Sequence, residues 1–199
     1  MQAIETAVTV DFSRRYTLEE LWALPEREDH ARYELIGGFL HIVPPPNPPH
    51  GDLAADTVRA LITFLTANKI DGKVYFPKAP IYRRAQGSTY LEPDLMYVSK
   101  ALRERMGSKR TSADIVFEII SRGTSIYDHT TKADAYLMLE VRELWLVDPF
   151  TLTVKVHYRS EVDETPAWEI VKYSNGEHTK SRVLAGWEVS VDELFKDLR

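Results

Sequence analysis

The stretch DIVFEII, Asp114–Ile120, carries a glutamate in the middle of an apolar run. Its length and its β-branched and aromatic content are those of a strand buried on both faces. In such a strand Asp114, Val116, Glu118 and Ile120 share one face, and Ile115, Phe117 and Ile119 share the other. Glu118 therefore has apolar neighbours on its own face. A buried carboxylate is costly unless it meets a cationic partner, takes up a proton or binds a metal ion. The fold must supply one of these beside an interior strand.

The surrounding elements read as an α/β (α+β) chain. YTLEELWALP has Thr17 as a helix cap and Glu20 three residues on, as a capping box requires, with Pro25 as the stop. YELIGGFLHIV is a hairpin turning on Gly37 and Gly38, and the proline run Pro44–Pro49 is a stiff extended connector. Asp52 should cap a helix reaching Asn68, with Ala54, Val58, Leu61 and Leu65 as its core stripe, widened by Leu53, Ile62 and Phe64. VYFPKAPIYR and STYLEPDLMYVS read as one strand each, the first at an edge or bulged because of its prolines. After DIVFEII and a polar connector comes the helix TKADAYLMLEV, with Ala135, Tyr136, Met138 and Leu139 facing inward, then the buried strand ELWLVDP. TVKVHY, AWEIVKYS and SRVLAGWEVS read as further strands, and SVDELF as a short closing helix capped by Ser190. With 199 residues, 44% of them hydrophobic, this is one domain over 1–199. Its core spans about 30–150 and a strand-rich extension about 151–199.

There is no cysteine, and the six histidines show no His-x₃-His pair, which excludes disulfides and argues against zinc. No apolar run approaches the roughly 18 residues of a membrane span. The N-terminus lacks a signal-peptide pattern, so the expected location is cytoplasmic. A net charge of −5 gives no general support to nucleic-acid binding, but charge can be local. Lys100–Arg110 and the pair Arg83 and Arg84 are basic. Such runs are most often solvated surface; the functional alternative is a phosphate-binding rim built from Arg83, Arg84, Arg103, Lys109 and Arg110.

Three further carboxylates stand out: Glu34 inside the first hairpin strand, Asp94 after Pro93 in YLEPDLMYV, and Asp148 before Pro149. Asp148 has the ordinary reading of an Asp-Pro turn. For Glu34, Asp94 and Glu118 the choice is between hydrogen-bonded structural acids and a shared cation. Magnesium takes hard oxygen ligands, few of them carboxylates, and keeps waters and phosphate oxygens for the rest. It polarises a phosphoryl group and acidifies a bound water. Lys132, four residues before Tyr136 and so on the same helix face, could orient that water or neutralise developing charge. A helix lysine is ordinarily a solvated one, so its weight comes from context. His50, before the second helix, is either a capping or surface residue or a phosphate contact and proton carrier.

EPDLMYV, followed 24 residues after Asp94 by the glutamate of DIVFEIIS, is similar to the PD-(D/E)XK nuclease superfamily. Together with YELIGGFL, PPPNPPHGDLA and the run through ELWLVDP, the chain resembles the Uma-type family of restriction-endonuclease-like proteins from Tyr33 to Pro149. The resemblance implies a central mixed β-sheet flanked by helices, here with extra C-terminal strands. It makes Asp94 and Glu118 ligands of Mg²⁺ (or Mn²⁺), Glu34 an accessory catalytic acid, and Ser121 and Asp128 supporting groups; Tyr136 is either an accessory group or packing behind Lys132. The superfamily lysine stands two residues after the second acid, where this chain has Ile120. Lys132 matches a lysine that the Uma-type branch carries further on.

The expected function is a metal-dependent endonuclease acting on DNA. The alternative is a nuclease-fold protein that binds nucleic acid or a protein partner without cutting, and a third reading is a hydrolase of smaller phosphate compounds. A homodimer follows as an expectation from function, since two sites are needed to cut both strands at once.

Overall fold

The computed structural model describes residues 10–46, 48–84, 87–121 and 127–198, without the side chains of 128 and 129. Helix α1 (Leu18–Trp22) opens with the reciprocal capping box: Thr17 Oγ1 accepts from the Glu20 amide, and the Glu20 carboxylate accepts from the Thr17 amide. Strands β1 (Arg32–Ile36) and β2 (Phe39–Val43) form the hairpin. Gly37 and Gly38 have φ of 59° and 89°, which a two-residue primed turn requires. Helix α2 (His50–Ala67) starts three residues earlier than expected. Pro49 holds the cap position and no side chain caps it, so Asp52 sits in the first turn, where its charge favours the helix dipole.

Prolines split both expected middle strands. β3 (Gly72–Tyr75) and β4 (Ile81–Arg83) belong to different sheets, as do β5 (Thr89–Leu91) and β6 (Leu95–Ser99). Pro77 and Pro80 in the first gap, and Pro93 in the second, lack the N–H that would extend a ladder, and at these points the chain crosses between sheets. Helix α3 (Lys100–Met106) and strand β7 (Ile115–Ile119) follow. A π-type turn (Asp128–Lys132) leads into α4 (Ala133–Met138), and then come β8 (Glu143–Asp148), β9 (Thr153–Val162) and β10 (Thr165–Tyr173). β11 (His178–Lys180), β12 (Glu188–Ser190) and α5 (Val191–Leu194), capped by Ser190, close the chain. SRVLAGWEVS is thus mostly bends and turns, with only its end in β12.

The six-stranded sheet has the order β10-β9-β8-β7-β6-β3, with β7 and β8 parallel and the other neighbours antiparallel. It is the mixed central sheet of the expected class. A second, antiparallel sheet has the order β2-β1-β5-β4. One face of the large sheet packs Phe117, Trp145 and Val147 against Leu53, Leu61 and Leu65 of α2 and against Trp187, Val191 and Phe195. The other packs Val116, Leu144 and Leu146 against Ala133, Ala135 and Tyr136 of α4. Glu118 lies on this second face. Two expected core residues are exposed instead: Ile62 at the edge of the α2 stripe, and Met138, two positions from Tyr136 and so turned away from it.

Candidate active site

Leu95 pairs with Phe117, and Met96 with Val116, in the antiparallel ladder of β6 and β7. Asp94 immediately precedes this ladder, and it lines the same cleft as Glu118. The backbone bends at Asp94, and its side chain takes over the ladder. Asp94 Oδ2 accepts from the Ile119 amide at 2.8 Å and lies 2.9 Å from His50 Nε2, which must carry the proton because an ionised carboxylate only accepts. Burial alone would raise the Asp94 pKa, but the His50 hydrogen bond and charge, Lys132 and the Ile119 amide together hold it below the ordinary carboxylate value.

Glu118 meets a cation. Lys132 Nζ is 2.9 Å from Glu118 Oε1, and the Tyr136 hydroxyl donates to the same oxygen. Lysine and tyrosine stand four residues apart and reach one carboxylate from one helical face, the Lys132 end of which is the π-type turn, a feature frequent at functional sites. Lys132 is only 1% exposed, so its ordinary reading as a solvated lysine does not hold. Burial, and next the negative charge of Glu118, push the Tyr136 hydroxyl pKa well above its usual value, so it acts as a donor.

Glu34 sits behind this pair. It is fully buried on β1, with Oε1 3.2 Å from Lys132 Nζ and accepting from the Glu92 amide at 2.9 Å, while Oε2 accepts from the Tyr127 hydroxyl at 3.1 Å. Both oxygens are spent on protein donors. The structure therefore makes Glu34 a group that holds Lys132, and it does not line the cleft.

Two neighbours were not foreseen. Arg32 lies 3.7 Å from Glu34, 3.9 Å from Glu92 and 3.9 Å from Asp94. The signal for it was its place two residues before Glu34, hence on the same strand face. Glu92 accepts from the Tyr90 hydroxyl and stands next to Pro93, where it reads as an ordinary turn residue.

Arg32, Pro44–Pro46, His50, Asp94, Glu118, Ser121 and Lys132 line a cleft of about 20 Å³. That is slightly more than one water needs, so an ion or a water fits and a nucleotide does not. In and behind the cleft wall the acids Glu34, Glu92, Asp94 and Glu118 outnumber the cations Arg32 and Lys132, with His50 paired to Asp94. Among the described residues no three His, Asp or Glu side chains form a complete metal cage. Two carboxylates with open positions fit magnesium, which keeps waters and phosphate oxygens for the remainder.

The structure places the remaining candidates as follows. Ser121 lines the cleft wall, while the side chain of Asp128 lies outside the described residues. The five basic candidates do not line the cleft. Arg83 donates to the Met138 carbonyl and Arg84 pairs with Glu19. Arg103, Lys109 and Arg110 line a separate cavity of about 350 Å³ beside α3, beyond the end of β6 opposite Asp94. Arg103 pairs with Asp71, and Arg110 lies over the Tyr75 ring. Arg83, Arg84, Arg103 and Arg110 thus each have a local partner within the protein. Asp148 is the turn residue expected of it, accepting from the amides of Phe150 and Thr151.

Paired carboxylates at the seam of two central strands, with a lysine delivered by the following helix, set this fold in the restriction-endonuclease-like α/β class. The chain belongs to the Uma2 family, described as "Putative restriction endonuclease", which matches residues 18–192. Its fold is similar to the crystal structure of a "putative nuclease belonging to DUF820" from Anabaena variabilis ATCC 29413. The TM-score is 0.71 at 20% identity, covering 92% of this chain and 99% of that one. No curated protein matches.

Proposed function

We propose that the chain is a Mg²⁺-dependent endonuclease that hydrolyses DNA phosphodiester bonds, with Mn²⁺ as a substitute ion. The observation that carries this reading is the burial of Lys132 against Glu118, one strand away from Asp94. Asp94 and Glu118 would hold the ion. When bound, it polarises a phosphoryl oxygen and makes a water nucleophilic near neutral pH.

The protein's own groups supply position and charge. His50 and the Ile119 amide fix the Asp94 carboxylate, and Tyr136 fixes that of Glu118. Glu34 holds the Lys132 ammonium at the cleft wall, where it can orient the attacking water and offset charge building on the phosphate. The cleft admits no nucleotide, so DNA would lie across its mouth with one phosphate directed inward. Cutting both strands at once would take two copies, and a homodimer belongs to the proposal on that ground. Among the described residues no helix is long and apolar enough to cross a membrane; a cytoplasmic site of action, where DNA is at hand, is likewise part of the proposal.

Plasmid DNA incubated with purified protein and Mg²⁺ or Mn²⁺ tests the reading. Cleavage is expected, stopped by chelator and abolished by Asp94→Ala and by Glu118→Ala. Cleavage that survives both substitutions means another site; DNA binding with no turnover by the unmodified protein means a binding protein on a nuclease fold.

A further inference from the structure

Arg32 is placed among the acids of the cleft without being used up by them. Its guanidinium stands 3.7–3.9 Å from Glu34, Glu92 and Asp94, beyond hydrogen-bonding distance of each. Those carboxylates take their hydrogen bonds elsewhere: Glu34 from the Glu92 amide and Tyr127, Glu92 from Tyr90, and Asp94 from His50 and the Ile119 amide. Arg32 Nη2 donates to the Glu92 carbonyl at 3.1 Å, while Nε is buried and has no hydrogen-bond acceptor among the described residues. A buried donor left unsatisfied is unfavourable, and native structures rarely keep one without a reason. An arginine serving only as a counter-ion to three acids would be drawn into a fork with one of them.

The side chain is also held in place. Arg32 begins β1, paired with Val43 across the hairpin, and it lines the cleft beside Pro44–Pro46 and Lys132. It is a planar fork with unspent donors, fixed at the mouth of a cleft that has room for an ion but not for a nucleotide.

From this we infer that Arg32 is a substrate-binding residue, whose guanidinium grips the oxygens of the phosphodiester presented to Asp94, Glu118 and Lys132. The fork matches two phosphate oxygens at once, and a lysine ammonium does not. Nη1 and the second N–H of Nη2 would contact the phosphate when DNA is bound, while Nε stays turned toward Glu34 and Glu92. Held there, the same group offsets the charge that grows on the phosphate during hydrolysis. This inference rests on the nuclease reading for its catalytic half and on phosphate recognition alone for its binding half.

The test separates the two halves. Duplex DNA binding is followed by fluorescence anisotropy over a series of salt concentrations, and cleavage is followed with Mg²⁺, for wild type, Arg32→Gln and Arg32→Lys; thermal melts confirm each fold. Arg32→Gln should flatten the slope of log affinity against log salt by about 0.9, the loss of one phosphate contact. Arg32→Lys should keep that slope and the melting temperature but lose roughly 100-fold in kcat. If Arg32→Gln does not fold, Arg32→Lys alone decides: the wild-type kcat in it would show that charge suffices and overturn the inference. An unchanged salt slope in folded Arg32→Gln overturns it as well, and leaves the nuclease reading intact. Wild-type DNA binding without cleavage, with the slope falling in Arg32→Gln, removes the nuclease reading and keeps the phosphate contact. Absence of DNA binding by wild type removes both.

Discussion

Glu118 interrupts an apolar strand because its position, rather than the strand, has to be charged. Its oxygen Oε1 already has Lys132 and Tyr136, and Asp94 lines the same cleft. Removing the tyrosine hydroxyl tests how much of the site depends on that orientation. Tyr136→Phe should lower stability by about 1–3 kcal/mol in urea denaturation, because a buried charged acceptor loses a donor. It should also weaken Mn²⁺ binding by roughly 10–100-fold in calorimetric titration, as for other groups that orient metal ligands. At this scale the sequence was readable where a residue misfits its surroundings. Glu118 and Asp94 are acids in apolar strands, and both lie in the cleft. Lys132 carries no such mark, since a helix lysine looks the same buried or solvated, and only the family resemblance singled it out. Arg32 was missed because an arginine at the start of a strand is unremarkable until the opposing acids are known.

Among elements, the hairpin was legible because Gly-Gly between two β-rich runs admits few other readings. Space is open around a Cβ at Gly37, so Gly37→Ala should cost only the strain of φ 59°, about 1–2 kcal/mol by chemical denaturation. Across the hairpin His41 faces Glu34 in the pairing register. Burial lowers the His41 pKa below 6.5, and the charge of Glu34 opposes this only in part. A folded-state pKa below the unfolded one means the unfolded chain binds the proton more readily. His41 therefore contributes stability that is present above about pH 6.5 and is lost as the pH falls through the folded value. His41→Asn should flatten the decline in urea-unfolding free energy over that acid window. The split of STYLEPDLMYVS was not legible. Proline shows that a ladder is interrupted, but which sheet each half joins depends on strands far away in sequence. Just after that crossing at Pro93, the Asp94 side chain accepts from the Ile119 amide of β7.

For the whole molecule, the alternation of helices and strands indicated the fold class, while the layering over the large sheet was hidden. Residues beyond 151 supply β9 and β10 to that sheet, and the Trp187 ring stacks 4.9 Å from Trp145 and meets Phe117 at 5.9 Å. Trp187→Ala should accordingly cost about 3–5 kcal/mol in a denaturant titration, although it lies in the C-terminal segment and on the face opposite Glu118. A fragment ending at Pro149 should fail to give a cooperative melt. The site depends on that packing, because α2 on one face brings His50 to Asp94 and the π-type turn before α4 on the other brings Lys132 to Glu118. The central claim is that Lys132, from the π-type turn that opens α4, serves the chemistry that Ile120, at the end of β7, cannot. Single-turnover cleavage of duplex DNA in Mg²⁺, compared between wild type and Lys132→Gln with its fold verified by circular dichroism, addresses it directly. The account predicts cleavage by wild type and a rate lower by about 10²–10³-fold in the variant; wild-type speed in Lys132→Gln would contradict it.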